Sequence, residues 1–128
     1  MTRKTQQRRA IRHVFEVTDR PLTPQEVLGE AQKDVAGLGI ATVYRNLKAL
    51  HENGWLKTVE LPGEPNRYEP AEMEHHHHFH CETCDIVFDV PGCPGGIDEL
   101  VPGNYRVRRH ELTLYGSCGN CSSGAESA

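Results

Sequence analysis

The sequence predicts an α+β chain in two parts: three helices and a β-hairpin, then a smaller part rich in cysteine and histidine. Two observations predict this division. Apolar residues recur at helical spacing in three stretches and then alternate in two short ones, which together cover roughly residues 5–70. All five cysteines and six of the eight histidines lie in the second half. Three helices followed by a hairpin are typical of a winged helix-turn-helix.

The first two helices are predicted over residues 6–18 and from Thr23 to about Lys33. In the first, apolar side chains recur at a period of 3.6 residues, with arginines on the other faces. In the second, Thr23 can cap the helix, Pro24 suits its first turn, and Glu26 completes a capping box. Residues 19–22, which lie between the two helices, are therefore predicted to be non-helical.

A third helix is predicted over residues 41–53, where Gly54 suits a left-handed cap. The hairpin follows, with strands over 55–61 and 67–69 joined by a turn over 62–65. The pattern then divides the chain as 1–70, a hinge over 71–74, a metal-binding part over 75–121 and a disordered tail over 122–128.

In the second part, short strands are predicted over 79–81 and 86–90 on either side of a Cys-x-x-Cys turn. A Pro/Gly-rich loop over 91–96 follows, and residues 97–101 leave room for one helical turn. Alternation predicts a long strand over 105–115.

Charge is distributed unevenly along the 128 residues, since residues 1–60 carry +3 and residues 61–128 carry −7. The positive half begins with a basic cluster that consists of Arg3, Lys4, Arg8, Arg9 and Arg12. This asymmetry predicts an anionic partner for the first part and a metal for the second. No apolar run approaches the ~20 residues of a membrane span, and no apolar segment near the start indicates secretion. We therefore expect a cytoplasmic protein.

Two Cys-x-x-Cys pairs are separated by 33 residues, and each can supply two thiolates from one turn. Together Cys81, Cys84, Cys118 and Cys121 can close a tetrahedral Zn(II) site, and four sulfur ligands leave no open position. The sequence therefore predicts a structural zinc. A redox pair or two disulfides are the alternatives.

The histidine run over 75–78 predicts two further sites, because successive side chains of an extended strand point to opposite faces. His76 and His78 share one face, while His75 and His77 share the other. Each pair needs further ligands, for which the candidates are Glu69, Asp89, Cys93 and His110. Imidazole with carboxylate suits Zn(II), Fe(II) or Mn(II). A tag or a solvated run without a role is the alternative.

The third helix exposes Tyr44, Arg45 and Lys48, with Thr42 at its start. A recognition helix reads bases with its N-terminal residues and holds phosphates with its cations. The basic residues Arg3, Lys4, Arg8 and Arg9 can likewise meet phosphates or enter a minor groove. An ordinary solvated helix and terminus are the alternatives.

Over residues 3–121 the chain resembles the ferric uptake regulator family of metal-dependent repressors. The motifs that carry the resemblance are residues 39–45 (GIATVYR) with Leu47, 67–69 (RYE), 75–84 (HHHHFHCETC) and 110–121 (HELTLYGSCGNC). The resemblance implies a winged helix joined by a hinge to a small α/β dimerisation domain with structural zinc.

Site roles follow from the same resemblance. Tyr44 and Arg45 match the family's DNA-contacting pair, and the four paired cysteines match its structural zinc. The regulatory metal site between the domains is matched by Glu69, His76 and His78, and Asp89 matches a carboxylate of the peroxide-sensing branch. The second site, inside the dimerisation domain, is matched by His75, His77 and His110.

Three positions depart from the family pattern. Pro21 stands where many iron and peroxide sensors have a ligand histidine, and Ala71 where zinc sensors often have a cysteine. Cys93-Pro-Gly-Gly stands where a helix and its glutamate ligand are expected. Cys93 either replaces that glutamate, which would favour zinc, or is a small buried residue.

The expected function is a homodimeric repressor of metal homeostasis or oxidative-stress genes that binds double-stranded operator DNA when loaded with metal. We expect no enzymatic activity, no organic substrate and no membrane partner. Besides the structural Zn(II), a second divalent ion is expected, with Zn(II) favoured over Fe(II) or Mn(II). A zinc-stabilised adaptor for another protein and a metalloenzyme are the alternatives.

Overall fold

The computed structural model describes residues 2–73 and 75–127. The chain divides into two compact parts, which we call the N-terminal unit (Met1–Met73) and the C-terminal unit (Glu74–Ala128). The point of division lies inside the predicted hinge over 71–74. No helix among the described residues is long and apolar enough to cross a membrane.

The N-terminal unit contains three helices and a two-stranded antiparallel hairpin. In chain order these are α1 (Arg3–Val17), α2 (Pro24–Ala31), α3 (Ile40–Glu52), β1 (Leu56–Val59) and β2 (Arg67–Pro70). All three predicted helices are confirmed, and α1 begins earlier than predicted because Thr2 caps it, with its Oγ1 accepting from the Thr5 amide at 3.1 Å. The predicted hairpin is also confirmed, with a shorter first strand.

The capping box predicted at the start of α2 is present. The Glu26 amide donates to the Thr23 hydroxyl at 3.1 Å, and the Thr23 amide donates to the Glu26 carboxylate at 2.9 Å. Just after the C-terminal end of α3, Gly54 adopts the left-handed conformation, with a φ of 80°. These local signals depend on neighbouring residues, which explains why the sequence located both helix ends.

The core of the N-terminal unit lies where the three helices and β1 meet. Its fully buried side chains include Ile11 of α1, Val27 of α2, Val43 and Leu47 of α3, and Leu56 of β1. Leu22, which precedes α2, pairs with Tyr68 of β2 through reciprocal backbone hydrogen bonds of 2.9 and 2.8 Å. The hairpin is therefore held against the helical core, as a wing requires.

The C-terminal unit is built on a three-stranded sheet with strand order β4-β3-β5. Strand β3 (His76–Cys81) lies in the centre, antiparallel to β4 (Val87–Pro91) and parallel to β5 (Thr113–Gly116). A single turn of 3-10 helix (Ile97–Leu100) follows β4, as predicted. Helix α4 (Gly119–Ser127) follows β5.

The long strand predicted over 105–115 is wrong, since only Thr113–Gly116 is strand and residues 105–112 have no regular structure. The reason lies in the register, in which Thr113 pairs with His78. Since β3 begins at His76, a parallel partner in this register has nothing to pair with before about residue 111. Among the described residues, the alternating residues before that point have no paired strand.

Residues 122–128 are predicted to be a disordered tail; in the structure helix α4 extends from Gly119 to Ser127, and residue 128 lies outside the described residues. The Ser122 amide donates to the Cys118 carbonyl at 2.8 Å, and its hydroxyl donates to the Ser117 carbonyl at 3.2 Å. The helix thus begins within the second Cys-x-x-Cys motif, and these hydrogen bonds fix its first turn. The small polar composition of the tail did not reveal that anchor.

Candidate metal centres and nucleic-acid interface

Four cysteine sulfur atoms converge at the junction of two turns of the C-terminal unit. Cys81 ends β3 and Cys84 lies in the turn that follows, whereas Cys118 directly precedes α4 and Cys121 lies in its first turn. All four sulfur atoms lie within 4.8 Å of one another. The amides of Cys84 and Cys118 donate to the Cys81 sulfur at 3.4 and 3.3 Å, so the backbone holds both turns on one thiol. We call this set the four-cysteine cluster.

The spacing of these sulfur atoms fits zinc and differs from that of a disulfide. All five cysteines of the chain are free, and the sulfur atoms of Cys84 and Cys118 are 4.0 Å apart, about twice the ~2.0 Å of a disulfide. Sulfur atoms bound to Zn(II) at ~2.3 Å lie roughly 3.8 Å apart at the corners of a tetrahedron. The four cysteines can therefore hold zinc with no coordination position left open.

Protonation in the four-cysteine cluster is divided unequally. The amides of Cys84 and Cys118 lower the pKa of Cys81 to about 6, because they donate to its thiolate. Hydrogen bonds with the side chains of Cys118 and Cys81 raise the pKa of Cys121 to about 12. Four thiolates at this spacing repel one another, and a divalent cation is what removes the repulsion.

A second convergence, which we call the His75 cluster, consists of His75, His77, Cys93 and His110. The Nε2 atoms of the three histidines are 3.1–3.2 Å apart. The Cys93 sulfur lies 3.3 Å from Nε2 of His77 and 2.9 Å from Nε2 of His110. The prediction that His75 and His77 share one face is confirmed. Cys93 is exposed rather than a small buried residue, so that alternative is wrong.

Burial places His77 in its neutral form. The pKa of His77 lies below the ordinary histidine value of 6.5, first because burial penalises the imidazolium and then because His75 and His110 would add positive charge beside it. A neutral imidazole is the form that ligates a metal. His77 is therefore ready to ligate a metal at neutral pH.

On the opposite face of β3, the ring nitrogens of His76 and His78 lie 3.3 and 3.5 Å from Oδ1 of Asp89. The register explains this, since Asp89 of β4 is paired with His78. We call these three residues the His76 cluster. Two imidazoles and a carboxylate suit a divalent metal of the Zn(II), Fe(II) or Mn(II) group. The fourth predicted ligand, Glu69, lies on β2 of the N-terminal unit, where its Oε1 is 3.5 Å from the Lys57 ammonium.

Helix α3 presents its predicted contact residues to solvent. Tyr44 is about half exposed, at 51%, and Arg45 and Lys48 are exposed as well. An Arg45 guanidinium nitrogen donates to the Thr42 hydroxyl at 2.9 Å, which orients the side chain along the start of the helix. The apolar face carries Val43 and Leu47, both fully buried. The helix is therefore fixed by its core face, and its polar face remains available.

A groove of about 390 Å³ runs between α1 and α3 of the N-terminal unit. Cationic side chains from both helices line it, and these are Lys4, Arg8 and Arg45. Arg3 is exposed at the start of α1. By contrast, the Arg12 guanidinium packs over the Trp55 ring at 4.6 Å, which occupies its cation in a structural contact.

Sequence reasoning missed two polar residues of this groove and one histidine–carboxylate contact elsewhere. Gln7 and Asn46 line the groove, and their spacing of three from Lys4 and four from Thr42 was the available signal. In the C-terminal unit, the buried His80 contacts Asp85 at 2.7 Å and braces the turn between the first two cysteines. Asp85 has a φ of 60°, a left-handed conformation that the sequence analysis did not predict.

Comparison with known proteins places the chain in one family. Residues 1–115 match the ferric uptake regulator family. The ferric uptake regulation protein of Staphylococcus epidermidis is 32% identical over 122 residues, which cover 94% of this chain and 88% of that protein. The peroxide operon regulator of Bacillus subtilis strain 168 is 29% identical over 126 residues, with coverage of 94% and 84%.

The fold agrees with the same family. The ferric uptake regulator of Francisella tularensis, whose structure was determined with iron, is 27% identical with a TM-score of 0.73, covering 95% of this chain and 93% of that one. The predicted α+β fold, a winged helix-turn-helix with a small α/β domain, is confirmed. Since the matched residues run through both units, this chain belongs to the ferric uptake regulator family of metal-responsive transcriptional regulators.

Proposed function

We propose that this protein is a repressor that binds operator DNA as a homodimer when loaded with a divalent metal, and that it controls genes of metal homeostasis or the oxidative-stress response. The observation that carries the proposal is the convergence of His76, His78 and Asp89. His76 lies only three residues after the end of the N-terminal unit, which contains the cationic helix α3.

The N-terminal unit supports the DNA-binding half of the proposal. Exposed cations on α1 and α3 suit the phosphate backbone, and Arg45 near the start of α3 suits a bidentate contact to a base. Thr42 and Tyr44 lie beside it, and Lys48 follows one turn later. Arg3, Lys4 and Arg8 extend the positive surface along α1.

The His76 cluster supports the metal-responsive half. We propose that Glu69, four residues before the end of the N-terminal unit, adds a carboxylate to this ligand set, as the family resemblance implies. Ligands from both sides of the hinge then favour one arrangement of the two units, and DNA binding draws on that population shift. A tenfold gain in DNA affinity requires only about 1.4 kcal/mol of coupling.

Zinc is the ion we favour at both the structural and the regulatory position. The four-cysteine cluster has the ligands of a closed zinc site. At the regulatory site Pro21 replaces the histidine that many relatives supply, and a shorter list of ligands suits a four-coordinate ion better than a six-coordinate one.

The test is a DNA-binding titration with a duplex selected from a random pool by the Zn(II)-loaded protein. Fluorescence anisotropy would be measured against added Zn(II), Mn(II) and Fe(II). The wild type should bind tightly only with metal. The double variant His76→Ala/His78→Ala should lose the metal-dependent gain while it keeps the dimer and the zinc of the four-cysteine cluster, because that cluster is unchanged.

Two further variants sharpen the result. His75→Ala/His77→Ala changes the same strand on its other face, and it should reduce stability more than it reduces the response to metal. Arg45→Ala should weaken binding at every metal concentration by about 1–3 kcal/mol with unchanged metal content. A His76→Ala/His78→Ala protein that still binds DNA only when metal is added would contradict the proposed switch.

A further inference from the structure

We propose that Cys93 turns the His75 cluster into a four-coordinate site with three imidazoles and one thiolate, which selects Zn(II) and similar thiophilic ions over Mn(II) and Fe(II). The inference deepens the proposed function by defining the ligand chemistry of the second metal site, which the family resemblance implies at His75, His77 and His110. It rests on the metal-binding part of that proposal and not on DNA binding.

Five of the six distances between the four ligand atoms are close to those of a tetrahedral zinc site. Imidazole nitrogens bound to Zn(II) at ~2.0–2.1 Å lie roughly 3.3 Å apart, and a nitrogen and a sulfur lie roughly 3.6 Å apart. The Nε2 atoms of His75, His77 and His110 are 3.1–3.2 Å from one another. The Cys93 sulfur is 3.3 and 2.9 Å from two of them, so modest expansion accommodates an ion.

The loop that contains Cys93 is shaped to return its side chain toward β3. Gly92 and Gly96 have φ values of 88° and 82°, in the left-handed region that glycine adopts without strain. These two residues bracket Cys93 and turn the chain after β4. The Cys93 thiol donates to the Pro94 carbonyl at 3.6 Å. Because Cys93 is exposed, an ion can reach its sulfur from solvent.

The choice of ion follows from the donor set. A thiolate is a soft ligand that favours Zn(II), whereas Mn(II) and Fe(II) are better served by carboxylate oxygen. Three imidazoles and one thiolate also complete four-coordination, which leaves no position for the extra oxygen ligands that Mn(II) takes. Replacement of sulfur by a carboxylate should therefore reverse the preference.

The same ligands connect three segments that are distant in sequence. His75 and His77 lie at the start of β3, Cys93 lies in the loop after β4, and His110 lies in the irregular stretch before β5. That stretch contains the exposed side chains of Arg106, Arg108 and Arg109, which are cleavage sites for trypsin. Ion binding should protect them, because it anchors residue 110 to the sheet.

The test begins with full-length protein whose four-cysteine cluster is filled with zinc, to which Co(II) is added. Wild-type protein should develop a near-ultraviolet sulfur-to-cobalt charge-transfer band, and Cys93→Ser should lack it. Any band from the four-cysteine cluster would persist in Cys93→Ser, so the difference isolates one thiolate. Cys93→Glu should bind Co(II) without that band and gain affinity for Mn(II) relative to Zn(II).

Affinity and accessibility give independent measurements. Loss of a partner outside the ligand shell weakens metal binding about 10–100-fold, so the loss of this ligand in Cys93→Ser should weaken Zn(II) binding by at least that much. In the unaltered protein, Zn(II) added beyond the equivalent that fills the four-cysteine cluster, until the remaining sites are saturated, should slow alkylation of Cys93 by iodoacetamide and slow trypsin cleavage after Arg106.

The inference is overturned if wild type and Cys93→Ser give the same charge-transfer band and the same Zn(II) affinity, or if alkylation of Cys93 is indifferent to Zn(II). None of these measurements involves DNA. A failure of the proposed repressor function would appear only in the anisotropy titration, so the two failures are distinguishable.

Discussion

The N-terminal unit buries thirteen hydrophobic side chains, whereas Cys81 and Val87 are the only buried hydrophobic residues described in the C-terminal unit. The C-terminal unit instead buries His77 and His80, and three sets of side chains that could hold a metal converge in it, namely the four-cysteine cluster, the His75 cluster and the His76 cluster. The first unit is thus held by a core of helices and a hairpin. The second places potential ligands where a small domain would otherwise need apolar contacts.

This difference indicates where metal matters for folding. Burial of apolar surface stabilises by about 25 cal/mol per Å² without any cofactor, so the N-terminal unit should fold without metal. Small domains with little core commonly depend on a structural metal, whose binding free energy becomes folding free energy. The C-terminal unit should therefore respond to metal in its stability as well as in its function.

The largest expected effect comes from Cys84→Ser. This change should remove one equivalent of tightly bound zinc and unfold the C-terminal unit or abolish the dimer, because a zinc ion on these four thiolates would tie the turn after β3 to the start of α4 in a unit with little apolar core. Metal analysis and size-exclusion chromatography would check both outcomes. Cys93→Ser is the matched control, since it removes a thiol outside the four-cysteine cluster and should keep that zinc. A stable Cys84→Ser dimer with normal zinc content would refute the assignment.

The second effect is confined to the other unit. Leu47→Ala should lower the free energy of unfolding of the N-terminal unit by about 2–5 kcal/mol, since it leaves a cavity in a fully buried position. Urea unfolding followed by the fluorescence of Trp55, the single tryptophan, reports on this unit, because its ring packs edge-on against Phe15. The zinc content should not change.

The neighbouring exposed residue supplies the control for that measurement. Lys48→Ala alters the surface of the same helix and should change the free energy of unfolding by no more than about 0.5 kcal/mol. If Leu47→Ala also released zinc, the two units would be coupled more tightly than their separate cores indicate.

The smallest expected effect is a pH dependence in protein whose four-cysteine cluster alone holds zinc, so that the C-terminal unit is folded and His77 ligates no metal. Because the pKa of His77 is lowered in the folded state, the unfolded chain takes up its proton first as the pH falls. The stabilising contribution of neutral His77 is complete above pH 6.5 and is lost as the pH drops through the lowered value. The free energy of unfolding, followed by circular dichroism, should depend less on pH below 6.5 in His77→Gln than in wild type. Parallel curves would contradict this role of burial at His77.

Local signals explain how much of the fold could be predicted. Helices α1, α2 and α3 follow from apolar periodicity and from caps such as Thr23, which act within a few residues. The two ligand faces of β3 follow from the alternation of side chains along an extended strand. These features require no knowledge of distant residues, so the sequence was sufficient for them.

Long-range pairing decided what could not be predicted. The extent of β5 depends on where β3 begins, and the course of α4 depends on the cysteine cluster that anchors its first turn. Cys93 shows the same limit, because its distance from His110 depends on a loop turned by two glycines. A pattern along one segment cannot reveal what lies opposite it.

Hydrogen exchange of the whole chain, measured by mass spectrometry before and after removal of zinc by a chelator, tests the contrast between the two units most directly. Amides of β3, β4 and β5 should lose protection after chelation, while those of α1 and α3 keep theirs. Restored zinc should restore the protection of the sheet. Unchanged protection of β3, or equal loss from α1 and β3, would contradict the claim that metal stabilises one unit and an apolar core the other.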